Sequence, residues 1–149
     1  MFLGQYKHTI DDKGRLMIPA RFRQMVGEGA YITQGFDRCL MLMTEAYFHQ
    51  VYERISAMSL ADPTARLLRR LILANAYPVE VDKIGRILLP QPLRQFLNLD
   101  GEAILVGQGE YFEIWAPQDW EEQMRLLQDT EANQQRFATL DLSSRSETL

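Results

Sequence analysis

Short apolar runs alternate with longer i, i+4 apolar stripes along this chain, and the sequence of runs occurs twice. In the first half a partly alternating run at residues 5–10 leads into Asp11-Asp12-Lys13-Gly14-Arg15, then the apolar triplet Leu16-Met17-Ile18, then Pro19. In the second half Pro78-Val79-Glu80-Val81 leads into Asp82-Lys83-Ile84-Gly85-Arg86, then Ile87-Leu88-Leu89 and Pro90. The shared pattern is D-x-x-G-R-[LI]-x-[IL]-P. Asp11/Asp82, Gly14/Gly85, Arg15/Arg86, Ile18/Leu89 and Pro19/Pro90 are each 71 positions apart. An internal repeat changes the whole fold reading, so it takes precedence. Each copy predicts strand, tight turn, strand. The Asp side chain can bond its own backbone two residues on, and Gly tolerates positive φ. Proline then stops the strand and suits a helix's first turn, which predicts short helices over residues 20–26 and 91–97.

A hairpin pattern follows in both halves. Residues 31–36 read as a strand, Asp37-Arg38 as its turn and residues 39–43 as the returning strand. Residues 103–115 repeat it at an offset of 72, anchored by Gly35/Gly107, Leu42/Ile114 and Phe48/Trp120. A helix then begins after Thr44, a good N-cap, with Tyr47, Phe48, Val51, Tyr52, Ile55 and Met58 as its stripe. Asp62-Pro63 starts a second helix, running to about Asn75, with Leu67, Leu68, Leu71 and Ile72 on its apolar face. Arg66, Arg69 and Arg70 lie opposite and read as a solvated or subunit-facing stripe in preference to a phosphate comb. A closing helix follows Ala116-Pro117, with Asp119, Glu121 and Glu122 in the turn where the helix dipole favours negative charge. The expectation is α+β, with one module over 1–76, a second over 77–130, and a polar, mobile tail over 131–149.

Composition narrows the function classes. The chain has 149 residues, 46% of them hydrophobic, enough for one domain or two small ones. Its one cysteine, Cys39, rules out an intramolecular disulfide and fits a reducing compartment. No apolar run approaches the roughly 20 residues a membrane span needs, and Met1-Phe2-Leu3-Gly4 does not open a secretion signal. A soluble, cytoplasmic protein is expected. The net charge of −4 argues mildly against a nucleic-acid partner. The charge is segregated, however: Lys7, Lys13, Arg15, Arg21 and Arg23 crowd the first 23 residues, and the end from Asp119 is acidic. On charge alone, accidental segregation of a solvated surface is the simpler account.

No enzymatic chemistry suggests itself. His8 and His49 are far apart and no second cysteine offers ligand spacing, so no metal site is expected. Gly107-x-Gly109 lacks the third glycine of a dinucleotide fingerprint and reads as a hairpin turn. Cys39 has only two histidines as conceivable partners for a nucleophilic dyad. No cofactor and no small-molecule substrate are expected.

Arg15 and Arg86 follow a turn glycine and precede an apolar strand. Such an arginine can snorkel at a sheet rim while pairing with Asp11 or Asp82. It can also be held by that aspartate and aimed outward at phosphate or a guanine edge. The modules themselves are small. A unit of about seventy residues buries a marginal core, and strands such as 16–18 and 87–89, apolar on both faces, need their edges covered. The modules are therefore expected to pack on each other, and protomers to associate.

These residues resemble a known family. The twin D-x-x-G-R-[LI]-x-[IL]-P elements, each followed by helix and hairpin, resemble the SpoVT–AbrB swapped-hairpin superfamily. The opening Met1-Phe2-Leu3-Gly4, the Asp11-x-Lys13-Gly14-Arg15 loop and the Arg69-x-x-Ile72-x-x-Asn75-Ala76 stretch resemble the MraZ family within it. The resemblance covers residues 1–140. It implies a tandem pair of pseudo-symmetric swapped-hairpin β-barrel modules with flanking helices. It implies a bacterial transcriptional regulator, cytoplasmic and nucleoid-associated. Such a regulator binds direct repeats in double-stranded DNA upstream of the division and cell-wall gene cluster, its own gene included, as a ring-like homo-oligomer. Arg15 and Arg86 then become DNA-binding residues, with Lys13, Lys7, Arg21 and Arg23 beside them, and Asp11, Gly14, Asp82 and Gly85 structure the loops. The second loop has Ile84 where the first has Lys13, so Arg86 is expected to contribute less. Two other roles stay open: an antitoxin-like regulator, and an oligomeric protein-interaction scaffold.

Overall fold

The computed structural model describes residues 1–27 and 29–142. The first half comprises β1 (Gln5–Thr9), β2 (Arg15–Met17), α1 (Ala20–Val26), β3 (Ala30–Gln34), β4 (Leu40–Thr44), α2 (Glu45–Ser56) and α3 (Pro63–Leu73). The second comprises β5 (Tyr77–Val79), β6 (Arg86–Leu88), α4 (Gln91–Leu97), β7 (Glu102–Gly107), β8 (Tyr111–Trp115), α5 (Pro117–Leu127) and α6 (Thr130–Phe137). The fold is thus α+β, with the same element order in both halves. Caps fix several helix starts. Thr44 accepts the Tyr47 N–H at 3.2 Å, and Asp62 accepts the Thr64 N–H at 2.9 Å with Pro63 opening α3.

The halves exchange strands. All pairing is antiparallel, and the six-stranded sheet runs β1-β7-β8-β4-β3-β5. The first strand of each half lies beside the hairpin of the other: β1 pairs β7 and β5 pairs β3. The order reads the same from either end once the halves are interchanged, with the β4–β8 pair at its centre. The remaining strands, β2 and β6, pair with each other: Leu16 faces Ile87, and Arg15 and Met17 face Leu88 and Arg86. The apolar edges that the sequence left uncovered are therefore covered by the other half.

The chain divides into two compact units, Met1–Pro117 and the residues from Gln118 onward. In the first, strand alternation sorts β4 onto two cores. Leu40 and Leu42 face a core built with Leu16, Ile18, Phe22, Ile87, Leu89, Leu93 and Phe112, under α1 and α4. Met41 and Met43 face a second cluster with Ile55 and Ile72, under α2 and α3. Both faces being apolar, β4 reads as a continuous hydrophobic run rather than an alternating one. Buried Thr33 donates its hydroxyl hydrogen to the Ile72 carbonyl and so satisfies itself beneath α3.

In the second unit the polar stretch from residue 130, read from the sequence as tail, is helical to Phe137. Asp129 caps α6 by accepting the Ala132 N–H at 3.1 Å. The final part of that expected tail, residues 143–149, lies outside the described residues. Among the described residues no helix is long and apolar enough to cross a membrane.

Candidate nucleic-acid interface

The two repeated loops have one geometry. In the first, the Asp11 carboxylate accepts the backbone N–H of Lys13 at 3.0 Å and of Arg15 at 2.8 Å, while its other oxygen takes the Arg15 Nε–H at 2.6 Å. The Gly14 N–H closes the turn onto the Asp11 carbonyl at 3.0 Å, with φ +87°. In the second, Asp82 accepts the N–H groups of Ile84 and Arg86 at 3.1 and 2.9 Å and the Arg86 Nε–H at 2.9 Å. Gly85 closes that turn at 3.1 Å with φ +93°. A carboxylate that receives backbone and guanidinium hydrogens resists protonation. The Arg15 N–H, above all, holds Asp11 below the usual carboxylate range, and the Arg86 N–H does the same for Asp82.

Each aspartate therefore both shapes its turn and fixes the direction of its arginine. The loops also touch: Arg86 Nη1 lies 3.7 Å from Asp11 Oδ2, the oxygen that holds Arg15. The two guanidinium groups thus converge on one carboxylate from opposite halves. Further backbone bonds lock the loops to the ribbon. The Ile18 N–H donates to the Gly85 carbonyl and the Leu89 N–H to the Gly14 carbonyl, both at 2.9 Å.

The family model described as "MraZ protein, putative antitoxin-like" matches the chain twice, over residues 1–71 and 72–142. The chain belongs to the MraZ family. Relatives agree. "Transcriptional regulator MraZ" from Thermomicrobium roseum is 48% identical over 94% of this chain and 99% of its own length. The protein of that name from Roseiflexus sp. is 44% identical over 93% and 94%, and that from Dictyoglomus thermophilum 43% identical over 82% and 84%.

Within this family member the expected site residues fall into three groups. Arg15, Arg86, Asp11, Gly14, Asp82 and Gly85 form the paired loops just described, with Lys13 exposed at the first loop's tip. Lys7 and Arg21 are exposed on β1 and α1; Lys7 pairs with Glu102 at 3.6 Å, a surface contact of little strength. Arg23 is elsewhere: its guanidinium lies against Gly85 of the second loop. Two residues at the loops escaped the sequence reading. Lys83 is exposed in the second loop, one place earlier than the position of Lys13. Arg94 packs against Gly14 and stands 71 positions after Arg23, so the repeat offset itself would have found it.

Other candidates take structural roles. Arg66 and Arg69 donate to the carbonyls of Leu60 and Ile55 at 2.9 and 3.4 Å, tying α3 to the end of α2 and the link after it. Cys39 is buried, and burial together with Glu113 and Asp37 pushes its thiol far up, away from the nucleophilic form. The charge objection also weakens. Residues 1–117 hold 13 basic and 13 acidic residues, so the whole −4 belongs to residues 118–149.

Proposed function

We propose that this protein is a sequence-specific DNA-binding transcriptional regulator that reads its operator with the paired arginine loops. The observation that carries the reading is the convergence of Arg15 and Arg86 on Asp11. Two flat, fixed guanidinium groups in one place match the bidentate edges of guanine or adjacent phosphates. Arg15, held by one carboxylate, makes the base-edge contact. Arg86 is divided between Asp82 and Asp11 and less exposed than Arg15, so its share is smaller. Lys13, Lys7 and Arg21, with Lys83, supply phosphate contacts. The curated relatives' name, transcriptional regulator, supports this class over an enzyme or a scaffold.

The strand exchange supports a tandem pair of swapped-hairpin barrel modules, 1–76 and 77–130. One protomer offers few contacts, too few for a tight site at physiological salt. A ring of protomers repairs that, because the second loop pair binds at high effective concentration once the first has landed. Neighbours in a ring are related head to tail, so the matching operator is a direct repeat. We place it in double-stranded DNA upstream of the division and cell-wall gene cluster, including the protein's own gene, in the cytoplasm at the nucleoid. Exposed Phe36 beside an apolar recess of about 190 Å³, lined by Met41, Met43, Tyr47 and Tyr111, supports self-association.

Titration of labelled upstream DNA, with light scattering to follow assembly, tests the reading. Arg15→Ala abolishes specific binding and leaves the oligomer intact; Arg86→Ala weakens it less. Affinity falls steeply with salt. Equal affinity of wild type and Arg15→Ala, or a flat salt response, overturns the assignment.

A further inference from the structure

Each loop glycine is covered by an arginine from the opposite half. A Cβ built on Gly14 would sit 2.6 Å from both Cζ and Nε of Arg94, on α4. One built on Gly85 would collide with Nη1 of Arg23, on α1, and lie 2.8 Å from its Cζ. Only glycine lets a guanidinium approach the turn this closely. The neighbouring peptides are already satisfied: Gly14 donates to Asp11 and accepts from Leu89, and Gly85 donates to Asp82 and accepts from Ile18. Among the described residues neither guanidinium donates a hydrogen bond to its glycine, so it meets the turn as a packed surface. Consistent with this, the Nε atoms of Arg23 and Arg94 are buried without a hydrogen-bond partner among the described residues. Orphaned donors of this kind are rare and call for an explanation beyond stability. Here both copies of the repeat keep one.

We propose that Arg94 positions the first loop and Arg23 the second, so that each DNA-reading arginine is set by a helix of the other half. The proposal rests on the reading of the loops as the DNA interface. The covering arginine stops the turn from tilting back, which keeps Asp11–Arg15 and Asp82–Arg86 in register with each other. Arg23 is then not one of the first half's phosphate contacts. It acts on DNA only through Arg86.

Two measurements test this. Without DNA, amide exchange is followed by NMR in the intact chain. Arg94→Ala speeds exchange of the Gly14 and Arg15 amides at least about tenfold and leaves Gly85 and Arg86 unchanged; Arg23→Ala does the reverse. Arg→Lys at either position, which keeps the charge and the fold but not the plane, gives the same pattern. With upstream DNA at low salt, where the Arg15→Ala variant still binds measurably, Arg94→Ala weakens binding sub-additively with Arg15→Ala, and Arg23→Ala sub-additively with Arg86→Ala. Neither variant lowers the salt slope. Loss of about one unit of slope on Arg23→Ala would identify a direct phosphate contact and overturn the proposal. So would exchange that rises in the loop of the same half, or in neither. If wild type ignores upstream DNA, the functional reading falls, while the exchange pattern still decides the positioning.

Discussion

Gly107→Ala is a sharp test of how the halves are locked together. Gly107 ends β7, and the N-terminal segment crosses over it. An added Cβ would stand 2.5 Å from the carbonyl carbon and oxygen of Phe2 and from the Leu3 nitrogen. These are backbone atoms, so no rotamer change removes the clash. Ordinary contact needs about 3.5 Å or more, a shift of roughly 1 Å. Three hydrogen bonds resist it: Phe2 and Gly109 exchange N–H and C=O at 2.7 and 2.8 Å, and the Gly107 N–H donates to Gly4 at 2.8 Å. The segment must therefore detach. Detachment exposes Phe2, which is 2% exposed and packed edge-on against Phe22 and Phe112. Burial of such a side chain contributes about 1.5–3 kcal/mol and each lost hydrogen bond about 1 kcal/mol. The expected cost is about 4–6 kcal/mol, at or above the size of a buried Phe→Ala truncation. Urea unfolding followed by circular dichroism, at one fixed protomer concentration, measures it. Because Gly107→Ala and Phe2→Ala remove the same anchor, the double variant should lose little more than either single one. A cost below about 1 kcal/mol, where surface substitutions fall, or full additivity with Phe2→Ala would refute the reasoning.

Asp11 is held ionised in the fold, so its contribution to stability is present above its unfolded pKa and is lost as pH falls through the lower folded value. The stability gap between wild type and Asp11→Asn should hold steady near neutrality and close below pH ~4, as read from urea midpoints across pH. His8 is half-buried, and desolvation first, then the Arg23 charge, push its pKa below 6.5. The fold prefers the neutral ring, so acidification below about 6.5 destabilises it, and His8→Gln should remove that part of the slope; an unchanged slope would exclude His8 as its source. Thr33→Val leaves the Ile72 carbonyl without its buried partner and should cost about 1–3 kcal/mol by thermal unfolding, with fraying concentrated in α3.

Much of the local structure was legible. Proline after an apolar triplet placed α1 and α4 at residues 20–26 and 91–97, and Asp62-Pro63 announced α3. The offset of 71 gave both loops, since Asp and Gly at fixed spacing encode their own turn. The apolar and polar pattern by itself did not show strand exchange, because an apolar edge such as 16–18 looks the same whichever half covers it. Arg23 looked like one of several basic residues near the first loop, yet its contact is with the second, set by the pairing of β2 with β6. The capping role of Arg66 and Arg69 was hidden for a related reason: a helix period tells which face is polar, not which carbonyls a neighbouring turn leaves open. α6 was missed because its start lies in one capping residue, Asp129, and not in an apolar stripe.

The exchange has a consequence for how the loops could diverge. Had each half kept its own first strand, the two loops would be independent, and loss of the basic tip from one would leave the other unaffected. Here β2 and β6 are each other's only ladder among the described residues, and Arg86 reaches to the aspartate that orients Arg15. Loss of the Arg86 side chain itself is thus felt by the first loop through Asp11. With Ile84 at the position that Lys13 holds in the first loop, the second loop also serves as the first loop's support. Its arginine shares Asp11 with Arg15 and helps to fix the carboxylate that aims it. On this account Arg86→Ala weakens DNA binding partly by loosening Arg15, in addition to removing its own smaller contact. Its effect should then be smaller in an Arg15→Ala background at low salt, where residual binding can still be measured. An undiminished effect there would refute the support through Asp11 and leave Arg86 as a contact only.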